Sequence, residues 1–496
     1  MIEDRAYQTF AIDAVKRAIL DGHRRILLCC PTAGGKTILA SRILKGLIAK
    51  GNLGSFVAHR KELLDQTVKT LERVGVANVS VIRANDPRED RSKPLQVASV
   101  QTLARRPPMS PAPHIIFIDE CHRAASDSYK TYLFEAYPNA IFLGLSATPG
   151  RSDGRPLGGE LFSYMIQVAT YSELIRGGFV SAPTTYSTPL LADLTKVRTV
   201  AGDYNQEDLE KAVNKGHIIA DIVGTWLRRA GGRRTVCFAV SVEHSKSLTA
   251  AFVAKGVKAE HLDGTTPEEE REAILARLKS GETTVVTNCG ILVEGWDAVW
   301  VKVCILACPT KSIIKYMQCG GRVLRPWEGV TPIILDHAGC HDRFGGPVHL
   351  DRIWSLTDKV KLASTVPPMR SCPVCFASIL SALPACPHCG ATMPAPVAPK
   401  PKERKIVPVD LALRELPELT EAERSWMEYT LGQARRLGWH WKALENRFSE
   451  HFAKPFPPEL KALVSAEYKR DEAWKANRKK RADAKKDPQT VLRPSP

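Results

Sequence analysis

Four short segments hold most of the residues that could do chemistry: Pro31-Thr-Ala-Gly-Gly-Lys-Thr37, Asp119-Glu-Cys-His122, Ser146-Ala-Thr-Pro149 and Gln318-Cys-Gly-Gly-Arg-Val-Leu-Arg325. The first suits phosphate. Glycines let backbone N–H groups close around phosphate oxygens, and a following helix N-terminus adds favourable partial charge. Thr32, Ala33, Gly34 and Gly35 would form the cradle, Lys36 would reach the β and γ phosphates, and Thr37 would hold Mg²⁺. The second segment supplies one carboxylate for metal, Asp119, and one to orient an attacking water, Glu120. In the fourth, Arg322 and Arg325 lie three apart and share a helical face, where guanidinium groups can stabilise charge on a transferred phosphoryl group. Each segment also has an ordinary reading: a glycine turn with an incidental lysine, a strand end with solvated acids, a surface helix with solvated arginines. Their order along one chain favours a nucleoside-triphosphate-driven motor with its site between two lobes.

The elements that must position these residues are legible as apolar runs. Residues 25–30 read as a buried strand before the glycine loop, and Ile38, Leu39, Ile43, Leu44 and Leu47 mark one face of a helix after it. Cys30 stands where the strict phosphate-loop pattern has its first glycine. Residues 114–118 and 140–145 read as two more buried strands, each opening into its motif. A second series at 234–240, 283–288, 301–307 and 333–336 precedes or frames Glu294-Gly-Trp-Asp297 and the arginine segment. The polar stretch 201–215 interrupts that series and is expected to be a small inserted helix.

Together these segments resemble superfamily-two helicases and translocases of the DEAD/DEAH type, here with the variant Asp-Glu-Cys-His. The resemblance implies an α/β fold of two tandem RecA-like domains with parallel sheets. It implies ATP and Mg²⁺ as cofactors and a catalytic set of Lys36, Asp119, Glu120, Gln318, Arg322 and Arg325. Nucleotide contacts would come from Gln8 (in Arg5-Ala-Tyr-Gln8), Thr32 to Thr37, Asp119, Gly295 and Asp297. Ser146 and Thr148 would couple hydrolysis to lobe movement. Nucleic-acid contacts would come from Arg60, Gln101 and Thr102 in the first lobe and from Ser241 and Thr287 in the second. Hydroxyls, amides and guanidiniums aimed at phosphates fix register without reading bases, as a sequence-indifferent motor requires.

Thirteen cysteines divide into two groups. Nine are scattered through apolar strands and motif loops, as expected for small buried residues in a reducing compartment. The other four, Cys372-Pro-Val-Cys375 and Cys386-Pro-His-Cys389, form two C-x-x-C knuckles, the pattern of a four-thiolate Zn²⁺ site. His388 ranks below the thiols as a ligand, and a pair of redox dithiols is the weaker alternative. Knuckles placed directly after the second lobe make the layout similar to RadD-type helicases, bacterial proteins associated with DNA repair and recombination, over roughly residues 5–390.

The expected organisation is a first lobe at 1–185, a second lobe at 186–360, a zinc-ribbon-like module at 366–393, a Pro-rich linker at 394–408, and a basic helical region at 409–496 with a tail-like end. In that last region Trp439, Trp441, Arg447 and Phe448 mix aromatic and basic side chains, and a small helical core accounts for them more readily than base stacking. Residues 469–486 contain nine basic and three acidic residues. The formal charge of +17 over 496 residues suits a polyanionic partner. No apolar run is long enough for a membrane span and the N-terminus lacks a signal-peptide pattern. The expected setting is therefore cytoplasmic, bacterial or phage-encoded. The expected partner is DNA (single-stranded, duplex or branched), with a single-strand-binding or recombination protein beside it. The competing functions are an RNA helicase, the motor subunit of a restriction-type complex, and a DNA-binding scaffold with a vestigial ATPase.

Overall fold

The computed structural model describes residues 5–124, 129–150, 157–293, 295–394 and 419–468, apart from positions 160, 359, 438, 459, 462–463 and 466–467. Among them, the first lobe is built on a wholly parallel sheet of seven strands: β1 (Arg25–Cys29), β2 (Gly54–Ala58), β3 (Ser80–Ile82), β4 (Leu95–Ser99), β5 (Ile115–Ile118), β6 (Ile141–Ser146) and β7 (Tyr164–Gln167). Their order is β3-β4-β2-β5-β6-β1-β7. Ile26 and Leu28 face one core layer while Leu27 and Cys29 face the other. Period-two side chains buried on both faces explain why these strands read as continuous apolar runs.

The second lobe repeats the plan with β8 (Thr184–Ser187), β11 (Thr235–Phe238), β12 (Ala259–Leu262), β13 (Val285–Asn288), β14 (Val303–Leu306) and β15 (Ile333–Asp336) in the order β12-β13-β11-β14-β15-β8, again wholly parallel. Its core begins before the expected boundary at 185: Ala169, Tyr171, Leu174 and Val180 pack with Phe238, Met317 and Ile334. The chain entering β8 is held at Ser181, whose N–H donates to the Leu324 carbonyl at 2.8 Å. The polar stretch expected as a helix holds more than that. A short hairpin, β9 (Thr199–Val200) and β10 (Asp203–Tyr204), precedes the helix Gln206–Val213. Asn205 caps that helix by accepting the Asp208 N–H at 3.1 Å.

The cysteine module sits on the exposed edge of the second sheet. Its hairpin of β18 (Met369–Ser371) and β19 (Ser378–Leu380) approaches β8, with Tyr186 bridging to Ala377 and the Ser187 N–H donating to the Phe376 carbonyl at 2.8 Å. The module thereby covers unpaired groups that would otherwise recruit another strand. Beyond residue 395 lies a separate compact unit. Its helices Glu421–Leu437 and Lys442–Phe452 enclose Met427, Leu431, Leu444 and Phe448. Phe448 is core, whereas Trp439 is half-buried beneath the Arg447 guanidinium at 4.1 Å. The basic run 469–486 and nearly all of the Pro-rich linker lie outside the described residues. No helix of the described residues is long and apolar enough to cross a membrane.

One position tests the tightness of the first sheet. A β-carbon on Gly144, in the middle of β6, would lie 2.5 Å from Phe162 Cζ and 2.9 Å from Cys121 Sγ. Gly144→Ala should therefore cost roughly 1–3 kcal/mol by overpacking, read as a lower urea midpoint. An unchanged midpoint would show that the core relaxes freely there.

Candidate nucleotide and zinc sites

β1 hands the chain to the glycine loop at Cys30. That side chain is fully buried, and a β-carbon on Gly34 would lie only 2.5 Å from its sulfur. Cys30 thus fills the space that makes Gly34 obligatory. Gly35 ends the loop in the left-handed region, at φ +78°, immediately before the helix Lys36–Ile48, and Ala33 shares that region at φ +69°. An L residue held there is strained, which is characteristic of ligand-gripping loops.

β5 delivers the carboxylates. Asp119 and Glu120 are both buried, and Glu120 is held at φ +47° with its N–H donating to Asp119 Oδ1 at 3.0 Å. Lys36 Nζ lies 3.3 Å from Glu120 Oε1, and His122 Nδ1 lies 3.4 Å from Glu120 Oε2. Burial works against the Lys36 charge, but the nearby Glu120 and Asp119 carboxylates outweigh it, so its pKa is raised. Asp119 is shifted upward by burial first and by the Glu120 charge second. Two acids and one lysine out of water make a cluster poised to exchange its internal pairing for a polyphosphate and its cation.

Around this cluster, several buried polar atoms find no partner among the described residues. Gln8 Oε1 accepts from Arg42 at 2.9 Å, while Gln8 Nε2 has no hydrogen bond and sits 2.9 Å from where a Gly35 β-carbon would be. Gln318 Nε2 and Thr148 Oγ1 are likewise buried and unpaired, whereas Ser146 Oγ accepts the Thr148 N–H at 3.1 Å. Unsatisfied donors are expensive in a folded interior, so their concentration beside the loop fits a hydrogen-bonding ligand. Sequence reading missed Tyr7 here. Its hydroxyl accepts from Arg5 and donates to the Gly34 carbonyl, both at 2.9 Å, and Arg5 lies over the Phe179 ring at 4.2 Å. Tyr7 was findable as Gln8's neighbour at a helix start, but Phe179 carried no signal.

The second lobe meets the loop through the helix Ile313–Gly321. A β-carbon on Gly321 would fall 2.9 Å from Thr32 Cβ, and one on Gly150 would fall 3.7 Å from Ile314 Cδ1. Gly321 therefore reaches the phosphate loop, and Gln318 lies one turn before it on the same helix. The arginines are turned elsewhere: Arg322 donates to the Trp296 carbonyl at 2.8 Å, and Arg325 forms an ion pair with Asp297. Gly295 lies against Arg60 and Leu63 of the first lobe rather than beside the loop, and its carbonyl accepts from Gln66 at 3.1 Å.

The residues expected at nucleic acid separate into two groups. Arg60 spans the lobes, donating to the Ile291 carbonyl at 3.1 Å. Gln101 donates to the His59 carbonyl at 3.0 Å, and the Thr102 hydroxyl accepts the Ala84 N–H at 3.1 Å. Ser241 caps the helix Val242–Ala254 by accepting the His244 N–H at 3.1 Å. Thr287 departs from the expectation. It is fully buried, with its hydroxyl shared among Ser245 and Thr249 at 2.7–2.8 Å, because the middle of a parallel strand offers no surface.

The four module cysteines converge. Their sulfurs all lie within 4.8 Å of one another, with Cys372–Cys389 at 3.7 Å and Cys375–Cys386 at 3.6 Å. A tetrahedron of sulfurs about 2.3 Å from zinc has edges of roughly 3.8 Å, so the set fits Zn²⁺. The knuckles repeat each other: the Cys372 and Cys386 N–H groups donate to Ala377 and Ala391, and Phe376 and Gly390 both take φ near +70°. His388 instead packs edge-on against Tyr186. Metal analysis of the purified chain should find about one zinc, and replacing Cys375 and Cys386 with serine should remove it. A folded chain that binds no zinc would sink the site.

Residues 1–151 match the family described as type III restriction enzyme, res subunit, and residues 214–326 match the helicase conserved C-terminal domain. A 51.5 kDa protein of Lactococcus phage (isolate 7-9) is 31% identical over 307 residues, covering 62% of this chain and 64% of that protein. IRC3 of Saccharomyces cerevisiae, named as an ATP-dependent helicase, is 32% identical over 340 residues, covering 65% of this chain and 49% of its own length. The chain thus spans about half to two-thirds of these curated relatives. A fragment structure named as an HsdR subunit of a type I restriction enzyme from Vibrio vulnificus YJ016 shares the fold, with a TM-score of 0.52 at 21% identity, over 68% of this chain and 64% of that one. With both lobes matched, the chain belongs to the superfamily-two helicases of the DEAD/DEAH type.

Proposed function

We propose that this chain is an ATP-driven motor that translocates along or remodels DNA. The observation that supports this reading is Lys36 paired with the buried Glu120 beside Asp119, with a second-lobe helix touching Thr32 of the same loop. Lys36 would leave Glu120 for the terminal phosphates, freeing Glu120 to orient water. Thr37 and Asp119 would hold Mg²⁺, which supplies charge neutralisation at the phosphate oxygens. Gln8, with its amide nitrogen unpaired beside the loop, would bind the base. Arg322 and Arg325 are one loop away, and hydrolysis would require them to exchange Trp296 and Asp297 for the phosphoryl group. Lobe closure would then be transmitted through Arg60, which already spans to the second lobe. The net charge of +17 favours a polyanionic track.

Zinc knuckles directly after the second lobe support a repair or recombination role of the RadD type, in the cytoplasm of a bacterium or an infected host, with a single-strand-binding or recombination protein as partner. The match of residues 1–151 to a res-subunit family favours a second reading, the motor of a restriction-type assembly with its nuclease on another chain.

Steady-state hydrolysis measured without polymer and with single-stranded DNA, duplex DNA or RNA separates these readings. Strong stimulation by DNA that vanishes in Lys36→Ala is the expected result; stimulation by RNA alone would overturn the choice of track. Gly321→Ala should lower stimulated turnover about tenfold or more, since a methyl group there would wedge the lobes apart at Thr32, with little change in melting temperature. Unaltered turnover would mean that this approach is not part of the working state.

A further inference from the structure

A cavity of about 230 Å³ opens at the carboxyl ends of β11, β13 and β14, and none of the phosphate loop's residues line it. Its roof is the β9–β10 hairpin and the helix that follows. Gln206 Nε2 donates to the Val240 carbonyl at 3.1 Å, while Asp203 accepts from the Thr310 hydroxyl at 2.6 Å and from the Lys311 N–H at 2.7 Å. The wall carries Cys289, Cys308 and Lys315. Lys315 Nζ donates to Cys308 Sγ at 3.1 Å. Cys237, on the adjacent strand β11, offers a contrast. It is fully buried, and burial pushes its thiol up.

We propose that Cys308, paired with Lys315, is an oxidant-reactive thiol that hydrogen peroxide modifies inside this cavity. A thiolate is the nucleophile in such chemistry, and an ammonium within hydrogen-bond reach favours it. The cavity holds several times the roughly 30 Å³ share of one liquid water, so peroxide fits. The sulfur attacks one peroxide oxygen, an S–O bond forms as the O–O bond breaks, and the departing hydroxide takes up the proton lost by the thiol. Cysteine and hydrogen peroxide become sulfenic acid and water, with sulfur oxidised by two electrons and peroxide reduced. The new oxygen intrudes between Cys308 and Lys315. Lys315 belongs to the helix Ile313–Gly321, which also carries Gln318 and Gly321, so oxidation shifts the face presented to the phosphate loop.

The test exposes the full zinc-loaded chain to hydrogen peroxide with dimedone present and reads each cysteine by mass spectrometry. Cys308 is expected to be trapped at least about tenfold faster than Cys237. Lys315→Met should slow trapping of Cys308 by a similar factor, and Lys315→Arg, which keeps a cation, should restore most of it. Trapping of Cys308 no faster than Cys237, or a rate indifferent to Lys315→Met, overturns the proposal. The comparison with Cys237 is made in unmutated protein, so it stands even where a variant folds poorly. Both readouts are independent of nucleotide hydrolysis. As a consequence for turnover, peroxide should inhibit the unmutated chain but spare Cys308→Ser; equal inhibition of both would overturn the link from sulfur to helix.

Discussion

The site depends on a close approach: Gly321 of one lobe rests on Thr32 of the other with no room for a single added carbon. Two parallel sheets can each bury their own cores without meeting at all. What forces them into register is a glycine at the last position of the helix Ile313–Gly321 and a threonine at the start of the phosphate loop. Nearby contacts reinforce the approach from several directions. Ile314 sits near Gly150, Arg60 reaches Ile291, Gln66 reaches Gly295, and Lys61 pairs with Glu268 at 2.5 Å. The last pair is exposed and contributes little energy.

The electrostatics of the cleft follow from that enclosure. Removing Lys36, Asp119 and Glu120 from water would be prohibitive for any one of them alone; together they neutralise one another in part. An excess of one acid remains, with His122 Nδ1 3.4 Å from Glu120 Oε2. The arrangement is a stored polarity, held by strained backbone at Ala33 and Glu120. Strain of this kind persists only because the surrounding strands are buried on both faces and do not yield.

Much of this was legible in the sequence because parallel strands declare themselves as apolar runs and their loops carry the chemistry. Lys36, Asp119 and Glu120 stood out by residue type and position, the four thiols by spacing, and Gln318 came only from the resemblance. The departures have a common cause. Thr287 looks like a surface hydroxyl in a motif but lies in the middle of a strand, and Gly295 faces a first-lobe helix rather than the loop. Such facts depend on which way a side chain points and on which element crosses over it, and no local pattern encodes either. The hairpin at 199–204 escaped notice because two-residue strands leave no periodicity. The Cys308–Lys315 pair sits seven residues apart across a turn into a helix, where spacing alone gives no reason to join them.

The chain entering β8 is pinned to the arginine segment. Ser181 is bonded to Leu324, between the two arginines, and β8 follows directly at one border of the second sheet. At about 4.8 Å per strand, the opposite border at β12 lies roughly 24 Å away. Because Ala169, Tyr171, Leu174 and Val180 already pack in the second lobe's core, this bond lies within that lobe and ties the arginine segment to the β8 border of its sheet.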